Sequence, residues 1–123
     1  MPELREALEL LKGYVAGELR FVVPDLFWAE LGNILWKVVR QGRLQVGPAE
    51  SALHAMRNRN FPTISSHTLL EEAFAIATAF DRTVYDALYV ALAVDSKSQL
   101  VTADERLANA LAAHLPVKWL GGL

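Results

Sequence analysis

The chain has 123 residues, of which 53% are hydrophobic and 21% charged, so we expect one globular domain over residues 1–123. It has no cysteine, which excludes disulfides, thiolate metal sites and cysteine nucleophiles and fits a reducing cytoplasm. The net charge of −2 argues against a passive nucleic-acid binder, but not against a nuclease whose acids gather around metal ions. No apolar run approaches the roughly 18 residues of a membrane helix.

Helical and extended patterns alternate along the chain. Apolar spacing and turn residues predict helices over residues 4–14, 25–41, 48–60, 68–80, 84–94 and 104–113. Short apolar runs predict strands over residues 21–23, 63–65, 100–102 and 117–120. Strands that alternate with helices indicate an α/β fold with a parallel sheet covered on both faces. Functional sites in such sheets form beyond the carboxyl ends of the strands.

Capping residues mark the predicted starts of three helices. Asp25 precedes the second helix and follows Pro24, which ends the first strand. The fourth helix begins with Thr68, three residues before Glu71, in the pattern of a capping box. The fifth begins with Thr83 before Asp86 in the same pattern, while Pro48 opens the third helix and Gly42 ends the second.

Two carboxylates lie on helices in unusual places. Glu30 lies at the border of an apolar stripe, where a solvated glutamate paired with Lys37 is the simpler interpretation. Asp86 is the only charge in the apolar helix 84–94. A buried carboxylate is costly unless it is hydrogen-bonded, paired or bound to a metal. A capping role toward Thr83 and a metal-binding role both fit Asp86.

A third carboxylate, Asp104, directly follows the strand 100–102, at the end where the sheet rule places a site. A helix cap shared with Thr102 is the alternative interpretation. A doubly wound sheet can bring three such points together, and oxygen-only ligands suit Mg²⁺ or Mn²⁺. Phosphodiester hydrolysis gains most from such ions, so the three acids together indicate a metal-dependent nuclease.

Three motif blocks, in two segments of the sequence, carry a family resemblance. One segment resembles the second half of VapC-type PIN domains, where YDA-x-Y-x-A-L-A and T-x-D-E-R-L recur. Its sequence is LLEEAFAIATAFDRTVYDALYVALAVDSKSQLVTADERL. Their first conserved helix, with P-D-L and E-x-x-N-x-L, resembles the segment VVPDLFWAELGNILWKVVRQGRL. The likeness covers residues 4–120, and the combination and order of the blocks are specific although each block alone is weak.

The resemblance implies a PIN-like three-layer fold, with a central parallel sheet flanked by helices, and a cluster of four acids. Three of these acids correspond to Glu30, Asp86 and Asp104 as metal ligands, with Thr102 in support. The fourth acid follows the family's opening strand, to which nothing here corresponds, so the domain is expected to be truncated at its N-terminus. The strands near Phe21 and Leu100 are then expected to pair directly, or to be bridged by another chain.

The function that the resemblance implies is that of a cytoplasmic toxin, an endoribonuclease dependent on Mg²⁺ or Mn²⁺. Its expected partners are RNA, a small antitoxin and a second copy of itself, and loss of the fourth acid is expected to impair it. The alternative is a non-catalytic PIN remnant that dimerises or binds an antitoxin. A phosphoacceptor receiver domain is disfavoured, because its aspartate and lysine pair is missing.

The remaining polar and aromatic residues carry weaker signals. Some basic side chains are candidates for contacts with the RNA backbone, although solubilising charge is the simpler interpretation: Lys37, Arg40, Arg43 and Arg82. Histidines 54, 67 and 114 lack metal-ligand spacing and are expected to be surface or packing residues. The tryptophans are expected in the core or at interfaces, and Trp36 is the candidate for a dimer or antitoxin contact.

Overall fold

The computed structural model of the protein describes residues 19–102 and 104–122. Within these residues the chain is α/β, as predicted, with five α-helices and short parallel strands. The helices are α1 Leu26–Arg40, α2 Val46–Asn58, α3 Ser66–Phe80, α4 Val84–Asp95 and α5 Glu105–Leu111. The strands are β1 Val23–Pro24, β2 Thr63–Ile64, β3 Leu100–Thr102 and β4 Val117–Trp119, followed by a 3₁₀ turn over Leu120–Gly122. The helix expected over residues 4–14 lies outside the described residues.

The strands form two separate parallel pairs. In the first pair Val23 of β1 lies opposite Thr63 of β2. In the second, Leu100 of β3 lies opposite Val117 of β4. The expectation that β1 and β3 pair directly is therefore wrong for the part of the chain described here. The physical reason is that both strands pack on α4, which holds them apart on its surface.

Pro24 belongs to β1, although the sequence predicted that it would end this strand. The N–H groups of Val23 and Asp25 donate to the carbonyl oxygens of Pro62 and Ile64 at 3.0 and 2.9 Å. Along a strand, alternate residues bond to the same neighbour, so the nitrogen of Pro24 faces away from β2. Its missing N–H thus costs β1 no hydrogen bond to β2.

The core is built around α4, as its apolar sequence predicted. Six of its residues are buried, and α3 and α5 supply most of the remaining core side chains. The largest side chains that are fully buried in these neighbours are Leu69 of α3 and Leu111 of α5. None of the helices that the structure describes is both long enough and apolar enough to cross a membrane.

Helix α1 begins without the predicted side-chain cap. Asp25 occupies the N-cap position, but its backbone is already helical and its carboxylate does not cap the helix. The carboxylate accepts a hydrogen bond from the Ser66 hydroxyl at the start of α3 instead. This bond holds the pKa of Asp25 below its usual value of 3.8. A tertiary contact 41 residues away in sequence thus replaces the local one.

The start of α3 also differs from the prediction. The helix begins at Ser66 and is capped by Ser65, whose hydroxyl accepts from the backbone N–H of His67 at 3.2 Å. The predicted box of Thr68 and Glu71 therefore lies inside the helix. Ser65 takes the cap because its backbone is extended, as a cap residue requires.

The other helix ends lie close to their predicted positions. Helix α2 begins at Val46 rather than at Pro48, which lies in its first turn, where a missing N–H costs nothing. Helix α5 ends at Leu111, two residues before the predicted end. The predicted cap of α4 is confirmed, because Thr83 Oγ1 accepts from the backbone N–H of Asp86 at 3.1 Å.

Candidate active site

A cavity of about 900 Å³ lies where α1, α4 and β3 face one another. Seven of the described lining residues are apolar and come mainly from α1 and β3: Phe27, Ala29, Leu31, Ile34, Leu100, Val101 and Leu107. The other six are polar: Glu30, Asn33, Lys37, Asp86, Tyr89 and Thr102. The predicted residues Glu30, Asp86 and Thr102 thus share one cavity, together with Lys37.

Glu30 reaches this cavity because α1 turns its apolar stripe toward it. No residue of α1 is fully buried, and Ile34 of the stripe is 58% exposed. The stripe therefore lines the cavity rather than the core. The Glu30 carboxylate accepts a hydrogen bond from the hydroxyl of Tyr89 on α4. Glu30 is exposed, as the simpler interpretation expected, but its hydrogen-bond partner is Tyr89 rather than Lys37.

Asp86 lies in the first turn of α4, and its backbone N–H and its carboxylate make different contacts. Its N–H is taken by the Thr83 cap, as described above. Its carboxylate lines the cavity. Only the Thr83 half of the predicted box is therefore formed, and the carboxylate of Asp86 is available to a ligand.

The pKa of Tyr89 is affected by both carboxylates. Its pKa is raised well above the usual value of 10.0, first because burial disfavours the phenolate. The hydrogen bond to Glu30 and the charges of Glu30 and Asp86 raise it further. Tyr89 therefore stays protonated near neutral pH and acts as a hydrogen-bond donor.

Asp104 does not line the cavity with the other two acids. Its Oδ1 caps α5 by accepting from the N–H of Leu107 at 3.2 Å. Thr102 Oγ1 in turn accepts from the N–H of Asp104 at 3.0 Å. The alternative interpretation of Asp104 as a helix cap is therefore what the structure shows. Among the described residues, no group of three acids or histidines is placed to hold one metal ion.

The donor set suits one hard divalent cation. Two carboxylates, with the Thr102 hydroxyl in the same cavity, are all oxygen ligands. Mg²⁺ commonly binds through one or two protein carboxylates and keeps several waters. Glu30 and Asp86 therefore fit the implied metal, although they supply two charges where the sequence predicted three.

The predicted RNA-backbone residues separate into two groups. Lys37 lines the cavity, and Arg40 lies beside it along α1, with its guanidinium 5.4 Å from the Trp36 ring centroid. Arg43 follows just beyond the helix and donates to Gln41 Oε1 at 3.4 Å. Arg82 closes the end of α3 by donating to the carbonyl of Asp81 at 2.9 Å, remote from the other three in sequence.

The sequence analysis did not identify two polar residues that line the cavity. Tyr89 lies three residues after Asp86, and Asn33 lies three residues after Glu30. Residues spaced by three or four lie on one face of a helix. Applying that spacing to each candidate acid would have identified both Tyr89 and Asn33.

The sequence is similar to a known protein family and to one of the proteins with a curated name. A family model described as PIN domain matches residues 2–111. The chain is 38% identical over 92 residues to Ribonuclease VapC3 from Pyrobaculum aerophilum. That alignment covers 72% of this chain and 70% of the relative. Residues Glu30, Asp86 and Asp104 all lie within the span that the family model matches.

Proposed function

The chain belongs to the PIN domain family, and from this premise we propose that it is a VapC-type, divalent-metal-dependent endoribonuclease. The observation that carries the proposal is that Glu30 of α1 and Asp86 of α4 line the same cavity. These two residues lie 56 positions apart in the sequence. The name of the relative, Ribonuclease VapC3, supports RNA as the substrate.

Glu30 and Asp86 would hold the ion, with Thr102 beside them, while Asp104, whose Oδ1 caps α5, would contribute its charge from outside the cavity. Mg²⁺ or Mn²⁺, when bound, supplies an activated water and stabilises the leaving oxygen of a phosphodiester. Tyr89 donates to Glu30 and fixes the direction of that carboxylate. Lys37 lines the same cavity and offers a positive charge to the substrate phosphate.

We propose that catalysis by the chain as written is weak. Among the residues that the structure describes, two carboxylates line the cavity and supply −2, where the family resemblance implies four acids. A single ion can still bind with help from substrate phosphate. Its placement of the attacking water would suffer, and placement is a large part of what a metal site contributes. The second candidate, a non-catalytic module that binds an antitoxin, is favoured by the same shortage of ligands.

The proposed partners follow from the family rather than from the cavity. We propose that a small antitoxin holds the enzyme inactive and that the chain forms a homodimer. The absence of cysteine agrees with a reducing cytoplasm as the place of action.

The test is cleavage of single-stranded RNA in Mg²⁺ or Mn²⁺, compared with the same reaction in EDTA. We expect slow, metal-dependent cleavage that falls at least tenfold in Glu30→Gln and in Asp86→Asn. Both changes keep the shape of the side chain and remove its charge. Glu50→Gln is the matched control, since Glu50 is an exposed acid on α2 outside the cavity. Metal-independent cleavage, or equal rates in all variants, would overturn the proposal.

A further inference from the structure

A second groove lies on the outer surface of α1. It has a volume of about 420 Å³ and is lined by Trp36, Lys37, Arg40 and Gln41. These residues form two adjacent rows of i, i+4 neighbours, Trp36 with Arg40 and Lys37 with Gln41. Such rows are ridges on a helix, and the space between two ridges is a groove. Its walls are one indole, two cations and one amide.

Trp36 differs from the other two tryptophans in its surroundings. Trp28 donates its indole N–H to Thr63 Oγ1 at 3.0 Å and stacks on Phe61 at 6.1 Å. Trp119 packs against the core. Trp36 is 53% exposed. Burial and tertiary contacts therefore explain Trp28 and Trp119, but they do not explain an indole at position 36.

The charge around Trp36 is positive. From position 31 to position 49 the sequence has no acidic residue, whereas Lys37, Arg40 and Arg43 all lie within it. The Arg40 guanidinium lies over the Trp36 ring at 5.4 Å, which holds both side chains in place on the surface. A positive surface with an exposed aromatic ring has the two features of a site for single-stranded nucleic acid.

The groove and the acidic cavity share one lining residue. Lys37 lines both of them. The rise of an α-helix places Trp36 about 9 Å along the axis from Glu30. Around the axis, Trp36 lies roughly 120° from Glu30, so a strand whose phosphate lies at the carboxylates would curve around α1 over Lys37 to reach the indole.

We propose that the groove binds single-stranded RNA next to the cleaved bond, with a base stacked on Trp36 and phosphates held by Lys37, Arg40 and Arg43. This inference rests on the proposed ribonuclease function and adds a substrate-positioning site to it. RNA is favoured over a protein segment because Lys37 leads from the groove directly into the proposed catalytic cavity. Base stacking tolerates any sequence, so the site would fix position along the strand rather than select a base.

The experiment measures binding of a short, fluorescently labelled single-stranded oligoribonucleotide in EDTA, where no metal-dependent cleavage occurs. We expect Trp36→Ala to weaken binding by about 5- to 150-fold, the range for loss of one base–aromatic stack. Trp36→Phe should retain most of the affinity. Phe74→Ala is the matched control, because Phe74 is an aromatic side chain on α3 that is 61% exposed. RNA should also quench the tryptophan emission of the wild type but not of Trp36→Phe.

Each outcome separates this inference from the proposed function. If the wild type cleaves RNA with Mg²⁺ and Trp36→Ala binds RNA equally well, the groove proposal is wrong and the ribonuclease stands. If Trp36→Ala loses only self-association or antitoxin binding, the groove is a protein interface and the proposal is again wrong. If RNA binding depends on Trp36 but no metal supports cleavage, the groove is supported and catalysis is not. Circular dichroism of each variant checks that the fold is retained.

Discussion

Tyr85 and Tyr89 lie one turn apart on α4 but have different surroundings. Tyr85 is 64% exposed, whereas Tyr89 is half-buried and donates its hydroxyl to Glu30. The contrast arises because α4 faces the core and the cavity on most of its circumference. The pair therefore offers a comparison in which the same chemical change is made inside and outside the site.

We expect Tyr89→Phe to weaken Mn²⁺ binding about three- to tenfold and to lower the free energy of unfolding by about 1 kcal/mol. The change removes one hydrogen bond to a charged group and leaves Glu30 free to rotate. Titration with Mn²⁺ followed by electron paramagnetic resonance measures the first effect, and urea denaturation measures the second. Tyr85→Phe should change stability by less than about 0.5 kcal/mol. Equal Mn²⁺ affinity in all three proteins would show that Tyr89 does not position Glu30.

At the scale of elements, the packing of α3 on α4 brings two carboxyl groups together. Glu72 of α3 interacts with Asp95, the last residue of α4. Burial raises the pKa of Glu72 above its usual value of 4.5, and the hydrogen bond and charge of Asp95 raise it further. A carboxylate at a helix C-terminus is also unfavourable toward the helix dipole. The two carboxylates therefore repel each other when both are ionised.

We expect Asp95→Asn to stabilise the protein at pH 7 by less than about 1 kcal/mol, since solvent screens the pair. A raised pKa in the folded state means that the folded protein binds more protons. The contribution of Glu72 to the free energy of unfolding is then fully present at low pH, and it is lost as the pH rises through the raised pKa of Glu72. The advantage of the variant should accordingly appear above pH 4.5 and shrink below it. Thermal denaturation across this range, with Glu71→Gln as an exposed control on α3, tests the sign.

At the scale of the whole molecule, the two strand pairs are joined through α4 rather than through strand hydrogen bonds. In the described residues β1 bonds to β2 and β3 bonds to β4. Val101 of β3 also lines the cavity beside the candidate acids. An extended segment that paired with both β1 and β3 would extend both pairs.

We expect the addition of a strand that ends in aspartate at the N-terminus to raise the rate of RNA cleavage above that of residues 1–123. The added strand supplies backbone hydrogen bonds, and its aspartate supplies a further metal ligand. The same extension ending in asparagine is the control, and it should raise the melting temperature without restoring cleavage. Rapid cleavage by the chain as written, abolished in Asp86→Asn, would show that the further acid is not required.

Local pattern was sufficient to place most of the described elements and to identify the family resemblance. The apolar helix 84–94, the strand 100–102 and the α/β class followed from spacing along the chain, because side-chain periodicity depends on backbone geometry alone. The cap of α4 at Thr83 followed from a local hydrogen bond. The three motif blocks, in their order along the chain, were enough to identify the resemblance to PIN domains.

Packing decided what lies far apart in sequence. Asp25 bonds to Ser66 instead of capping its own helix, and Tyr89 bonds to Glu30 across 59 positions. Asp104 caps α5 and leaves the cavity to Glu30 and Asp86, although all three looked equivalent as acids. Such choices depend on distances between elements, which follow from how α4 packs against β1, β3 and α3. Spacing along the chain carries no information on those distances, so only the tertiary structure could separate the acids that share the cavity from the acid that caps a helix.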